Sequence, residues 1–225
     1  MEIVYKSKNA VVINKPEGMP SQPDKTLSAD VMSELSRELA DIGEPSELYP
    51  VHRLDRVVGG LILFARNKKS AAELSALASG EGFGKEYFAV IDGIISEKCD
   101  MRDYLIKDSK QNVARVVDAG HKGAKEARLI CEPIAEAKTE KGEKTLLKIT
   151  LLTGRFHQIR VQLSSRHLPI TGDKKYGSRD FMSRTPALYS RRISLSLGSE
   201  KIDVTSIPSP NKYPWNLFPI EKYNL

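Results

Sequence analysis

The sequence is short of the features that mark membrane proteins, disulfide scaffolds and metalloenzymes. No apolar run approaches the roughly 20 residues that a spanning helix needs, so no membrane association is expected. The first residues, MEIVYKSKNAVVINKPEG, have neither a basic leader nor a small-residue cleavage site, which argues against a secretory signal. There are only two cysteines, Cys99 and Cys131, far apart and outside any CxxC pair, which excludes a cysteine-based zinc site. They are read as two ordinary half-buried thiols in a reduced, cytoplasmic setting. Four histidines are present, but no HxxxH or HxH pair, and the acidic residues do not cluster with them. His52, Asp55, His157, His167 and Asp173 could each donate to a metal, yet their spacing gives no reason to expect one. Internal repeats, low-complexity tracts and a clear linker are also missing. Residues 1–225 are therefore read as a single domain, large enough to bury a core.

What the chain does have is a basic surplus. Thirty-five Lys and Arg against 29 Asp and Glu give a net charge of +6 and a pI of about 9.2. Cationic side chains displace counterions from phosphates, so a polyanionic partner is favoured, although charge alone is weak support.

The apolar pattern gives a coarse sequence of elements. Residues 10–13 are apolar and β-branched and precede a turn at Asn14-Lys15-Pro16-Glu17-Gly18, which reads as a strand. Val31, Leu35, Leu39 and Ile42 recur at helical spacing, with Ser28 as a cap and Gly43 as a stop. Residues 61–65 and 87–91 suit buried strands. Between them residues 70–78 read as a helix with Ala71, Leu74 and Leu77 inward, closed by Gly80. Shorter strands are expected at 113–117, 127–131 and 146–152, a helix at 158–163, and late strands at 188–197 and 202–205. Residues 132–144 are polar and are read as a hairpin loop, and Trp215 is expected to anchor the tail. Strands outnumber helices without alternating with them. This points to an α+β fold with a mixed, largely antiparallel central sheet and flanking helices, not a doubly wound one.

Three segments place polar or charged groups directly beside apolar runs. In Val51-His52-Arg53-Leu54-Asp55-Arg56-Val57-Val58-Gly59-Gly60, an aspartate flanked by two arginines could be a positioned nucleophile or base, or a member of a surface ion pair. Its glycines would let backbone approach a ligand or another strand. In Leu152-Thr153-Gly154-Arg155-Phe156-His157-Gln158-Ile159-Arg160, a turn launches a short helix. Arg160 could pair with a buried carboxylate and Arg155 with His157 could lie near phosphates, or the segment could be a solvated basic helix start. In Lys85-Glu86-Tyr87-Phe88, Tyr87 could stack on a base or sit in the core with its hydroxyl satisfied.

Taken together and in this order, these segments resemble the RluA-type pseudouridine synthase family. The nucleophile motif of that family resembles His52-Arg53-Leu54-Asp55 with the glycines and apolar run to Arg66. Its later motifs resemble Thr153-Gly154-Arg155-Phe156-His157-Gln158-Ile159-Arg160 and Gly172-Asp173-Lys174-Lys175-Tyr176-Gly177. Asn14-Lys15-Pro16-Glu17-Gly18-Met19-Pro20 resembles its early NKP-x-G-x-P segment, and Lys85-Glu86-Tyr87 its K-x-Y strand. Two segments depart from the pattern: Val58-Gly59-Gly60 replaces the common polar Thr-Ser-Gly, and Phe156 stands where Thr is frequent. No S4-like RNA-binding module is read in the chain, so targets would be selected by the catalytic domain's own surface or by partners.

The resemblance implies the pseudouridine synthase fold and the isomerisation of specific uridines in structured RNA, ribosomal or transfer, to pseudouridine. The uridine would flip out of its stack. Asp55 would be the catalytic carboxylate. Arg160 would pair with Asp55 and aim it. Tyr87 would stack on the flipped uracil, and Ile159 would form an apolar wall that excludes water. Arg53 would fill the vacated space or hold a phosphate, its planar fork suiting both. Arg155, His157, Lys174 and Lys175 would contact substrate. No cofactor is implied, RNA is the only partner expected, and a monomer is the simplest state. The competing readings are a catalytically silent RNA-binding protein on the same fold and a metal-dependent hydrolase.

Overall fold

A computed structural model describes residues 1–25, 27–80 and 82–223 of the chain. In chain order its elements are β1 (Glu2–Lys6), β2 (Ala10–Lys15), α1 (Val31–Asp41), β3 (Tyr49–Pro50), β4 (Gly59–Ala65), α2 (Lys68–Ser79), β5 (Phe83–Asp92) and β6 (Cys99–Asp108). Then follow β7 (Val113–Val117), β8 (Lys125–Thr139), β9 (Gly142–Leu151), α3 (Gln158–Ser164), β10 (Leu188–Leu197) and β11 (Glu200–Thr205). The chain folds as two compact units, Met1–Gly84 with Tyr189–Ser206 and Lys85–Leu188 with Ile207–Leu225. Among the described residues no helix is long and apolar enough to cross a membrane.

The first unit carries a mixed sheet. β1 pairs antiparallel with β2, β2 with β4, β3 with β4, and β10 with β11. β4 and β10 run parallel, with Gly59 opposite Tyr189 and Gly60 opposite Ser190. Side chains alternate faces along a strand. One face of β2 and β4 (Ala10, Val12, Leu61, Leu63 and Ala65) joins Leu74 of α2 and Ile193, Leu195 and Leu197 of β10 in one core cluster. The other face, Val11, Ile13, Ile62 and Phe64, is equally buried. Both strands therefore read as continuous apolar runs. Asn67 caps α2, its side chain accepting from Ser70 N–H, and Ala71 and Leu77 pack beside Leu74 as the spacing required. For α1 the cap is Asp30, accepting from Ser33 N–H, in place of the expected Ser28; its carboxylate lies directly before the first helical residue.

The second unit is an antiparallel sheet in which β5 pairs with β9, β9 with β8, β8 with β6 and β6 with β7. Val161 and Tyr176 pack with Leu105, Ala114 and Ala127, which seats α3 on β6, β7 and β8. Trp215 is buried and anchors the tail. Two expectations are corrected. Residues 132–144 are not a loop: β8 continues to Thr139 and β9 begins at Gly142. Much of that stretch of β8 has neither face fully buried, so the alternation that announces a strand is lost. The cysteines are not free thiols: Cys99 and Cys131 stand directly opposite in the β6–β8 register and are joined in a disulfide. Their separation of 32 residues carries no information about that register.

Candidate active site

Asp55 lies in the first unit, in the loop between β3 and β4. That loop is held from both sides by residues 15–21. Ser21 Oγ accepts from Leu54 N–H at 3.1 Å and donates to Leu54 C=O at 2.9 Å, fixing the residue before Asp55. On the other side Gly18 N–H donates to Arg56 C=O at 2.8 Å, and Arg56 Nε donates back to Gly18 C=O at 2.8 Å. The Asp55 C=O accepts from Val58 N–H at 3.0 Å, closing a tight turn. Leu54 is buried, Asp55 is half-buried and Arg53 and Arg56 are exposed. The backbone carrying the carboxylate is thus fixed on either side, while Arg53 extends into solvent where a phosphate could be met.

Lys15 is the group in this neighbourhood that sequence reasoning left without a role. It ends β2 almost fully buried at 1% exposure, and its Nζ donates to the carbonyls of Pro16 (2.9 Å), Met19 (2.8 Å) and Arg56 (3.3 Å). Three acceptors satisfy the three donors of an ammonium. Burial pushes its pKa down to about 8, opposed by the negative charges of Asp55 and Glu17. The visible signal was a lysine closing an apolar β-branched run just before a proline. Gly60, at φ +107, is explained by packing: a Cβ there would lie 2.3 Å from Ser190 C=O. The glycine therefore serves the close approach of β10, the second of the two purposes considered for it. His52 Nε2 accepts from Leu63 N–H at 3.1 Å and its ring meets Phe83 edge-on, so it braces the start of the same loop.

The other expected site residues lie in the second unit. Tyr87, on β5, is buried at 6% exposure. Ile159 and Arg160, in the first turn of α3, are also buried. Gln158 holds the turn before α3: its Oε1 accepts from Thr153 Oγ1 at 2.8 Å and from Arg155 N–H at 3.0 Å, and its Nε2 donates to Arg128 C=O at 3.1 Å. Arg160 forms a bidentate pair with Asp173, Nε to Oδ2 at 2.7 Å and Nη2 to Oδ1 at 2.8 Å, and its guanidinium lies 5.0 Å from the Tyr176 ring centroid. The buried carboxylate seen on Arg160 in this unit is therefore Asp173, a residue the motifs contained but to which no pairing was given.

His157 lies at the entry to α3. It is buried in left-handed backbone at φ 52, stacked on Phe156 at 3.8 Å between centroids. Its Nδ1 lies within hydrogen-bond distance of Tyr176 Oη, at 2.8 Å, and that Oη accepts from Ala114 N–H at 2.7 Å. Burial, reinforced by the charges of Arg160, Lys175 and Lys107, pushes its pKa down to about 3. The buried ring braces the turn before α3. Arg155 is exposed, its Nε donating to Glu126 C=O at 2.8 Å, and Lys174 and Lys175 are exposed beside the Gly172-Asp173 turn. Among the described residues no three His, Cys, Asp or Glu side chains are grouped as a metal site.

Motifs in this order fit the class of enzymes that modify RNA bases. The model of the RNA pseudouridylate synthase family matches residues 9–165, and the chain belongs to that family. Among relatives, tRNA pseudouridine synthase C of Vibrio vulnificus is 30% identical over 187 residues, covering 79% of this chain and 74% of that protein. Ribosomal large subunit pseudouridine synthase C of Rickettsia conorii is 30% identical over 200 residues, covering 89% of this chain and 64% of that protein. The fold matches that of human RNA pseudouridylate synthase domain containing 1, with a TM-score of 0.78 at 21% identity over 93% of this chain and 83% of that one. Human RNA pseudouridylate synthase domain containing 4 gives 0.75 at 20% identity, over 92% and 89%.

Proposed function

We propose that this chain isomerises specific uridines to pseudouridine in transfer or ribosomal RNA, with the Asp55 carboxylate as its catalytic group. The observation that carries the reading is the double clamp on the Asp55 backbone within a family that modifies RNA. A backbone fixed by hydrogen bonds at the residues before and after Asp55 leaves less of the loop to be ordered when substrate arrives. The reaction breaks the C1′–N1 bond, turns the uracil and forms C1′–C5; the proton leaving C5 is balanced by one gained at N1. No electron is transferred and no group is donated, so the atoms balance without a cofactor. Asp55 acts by attacking the nucleotide or by drawing the proton that permits glycal formation. Arg160, aligned by Asp173, supplies the guanidinium that the family resemblance assigns to the same step. Tyr87 contacts the flipped uracil, Ile159 shields the detached base from water, and Arg53 holds the place the base has left. Arg155, Lys174 and Lys175 are exposed cations suited to the RNA backbone. We place the reaction in the cytoplasm, with the protein acting as a monomer.

The test is Asp55→Asn on bulk transfer and ribosomal RNA, with binding measured by filter retention and product by carbodiimide mapping of pseudouridine. Binding should persist and product should vanish. Pseudouridine formed by the variant at near wild-type rate would reject the assignment. Wild-type protein that binds RNA but forms no product would identify a silent binding protein.

A further inference from the structure

We infer that Phe181 is a stacking platform for an unpaired base of the RNA substrate, flanked by Arg179, Arg184 and Lys174 as phosphate contacts. The proposal rests on the reading of the chain as an RNA-modifying enzyme and adds to it a surface outside the catalytic motifs. Phe181 is 68% exposed and its neighbour Met182 is 62% exposed. Among the described residues Phe181 is the only aromatic in the set of exposed large hydrophobic side chains. Lys174 Nζ lies 5.2 Å from its ring centroid, so a cation already sits on the ring.

The segment that presents this ring is fixed. On one side Asp180 is buried, receives Lys144 Nζ at 2.8 Å and Tyr213 Oη, and accepts from Met182 N–H at 3.0 Å. On the other side Ser183 is buried and donates to Thr185 C=O at 2.6 Å. Both flanks thus turn inward while the two apolar residues between them face water. The segment lies directly on Gly172, at φ +81, where a Cβ would come within 2.5 Å of Thr185 C=O and 2.6 Å of Ser183 Cβ. Gly172 in turn precedes Asp173, the partner of Arg160. The platform is therefore attached to the turn that aligns a candidate catalytic group.

The charge around the ring selects the occupant. Arg179, Arg184, Lys174 and Lys175 are all exposed, whereas Asp180, the acid within the segment, is buried and paired. An aromatic face among several cations fits single-stranded nucleic acid, where every base offers a π-face and every linkage a phosphate. A second copy of this chain, itself basic, would bring like charges to the same place.

The test uses fluorescein-labelled single-stranded oligoadenylate RNA and an abasic ribose-phosphate chain of the same length. Phe181→Ala should weaken Kd for oligoadenylate roughly 5- to 140-fold, which is base–aromatic stacking of about 1–3 kcal/mol at about 1.4 kcal/mol per tenfold. Phe181→Tyr should bind as wild type, and the abasic chain should not distinguish the three proteins. Arg179→Ala and Arg184→Ala should each lower the slope of log Kd against log salt by about 1. Wild-type affinity in Phe181→Ala, or an equal loss on the abasic chain, overturns the proposal. So does sedimentation showing a wild-type dimer that Phe181→Ala splits. Because binding is read without turnover, an inactive wild type would sink the proposed function and leave the platform standing; intact activity with an indifferent Phe181→Ala would do the reverse.

Discussion

Mild acid should destabilise this protein through one buried imidazole, and His157→Asn should remove that sensitivity. His157 titrates at about 3 in the folded chain, against an ordinary value of 6.5. Between those values the unfolded chain binds a proton that the folded chain refuses, so stability is full above 6.5 and falls as the pH falls towards 3. Well inside that window the slope is about 1.4 kcal/mol per pH unit, which makes the loss from about pH 7.5 to about pH 5 roughly 2 kcal/mol. Asparagine is the informative replacement. It tolerates the left-handed backbone at position 157, and its Oδ1 can accept a hydrogen bond from Tyr176 Oη without titrating. The assay is urea unfolding followed by Trp215, the single tryptophan, which lies in the same unit as His157. The absolute stability of the variant is not the readout, since the stacking on Phe156 is lost with the ring. The readout is the change between the two pH values, which should shrink by about 2 kcal/mol in His157→Asn. An equal loss in both proteins would show that the buried ring is not the acid-sensitive group.

Two further outcomes follow from buried polar groups. Tyr87→Phe should keep contact with the flipped uracil and change only the rate, whereas Tyr87→Ala should lose roughly 1–3 kcal/mol of stacking, read from product formation on transfer and ribosomal RNA; equal behaviour would make Tyr87 a core residue. Lys144→Met should cost about 3–5 kcal/mol in a urea melt, because Asp92 and Asp180 both contact that buried ammonium and would be left without its charge; a near-neutral effect would mean the carboxylates are balanced elsewhere.

Much of the fold was legible because both faces of its main strands are apolar. β2 and β4 stand out as runs without any period, and α2 shows its inward side at Ala71, Leu74 and Leu77. β6 went unread because CDMRDYLIKD buries only Met101 and Leu105 fully, too few to set a period. The Cys99–Cys131 bond depends on a β6–β8 register that no local pattern records. The motifs single out candidate residues, but not the partners those residues take in the folded chain. Asp173 was recognised as part of a turn, and only the folded chain joins it to Arg160 across 13 residues.

The same distinction explains the most instructive miss. Reading residues 132–144 as a polar loop assigned Lys144 to solvent, yet Lys144 is 1% exposed and bridges two carboxylates. Lys15 is the parallel case in the first unit, equally buried and satisfied by three carbonyls. Composition treats a lysine as surface because an unpaired ammonium is costly to bury. That cost disappears from view once acceptors arrive from distant positions: Asp92 lies 52 residues from Lys144, and the Arg56 carbonyl lies 41 residues from Lys15. Each lysine fixes a segment that carries chemistry in the proposed reading, the Phe181 segment through Asp180 and the Asp55 loop through Arg56. The polar groups least visible to a periodicity argument are therefore the ones that hold these two segments in place.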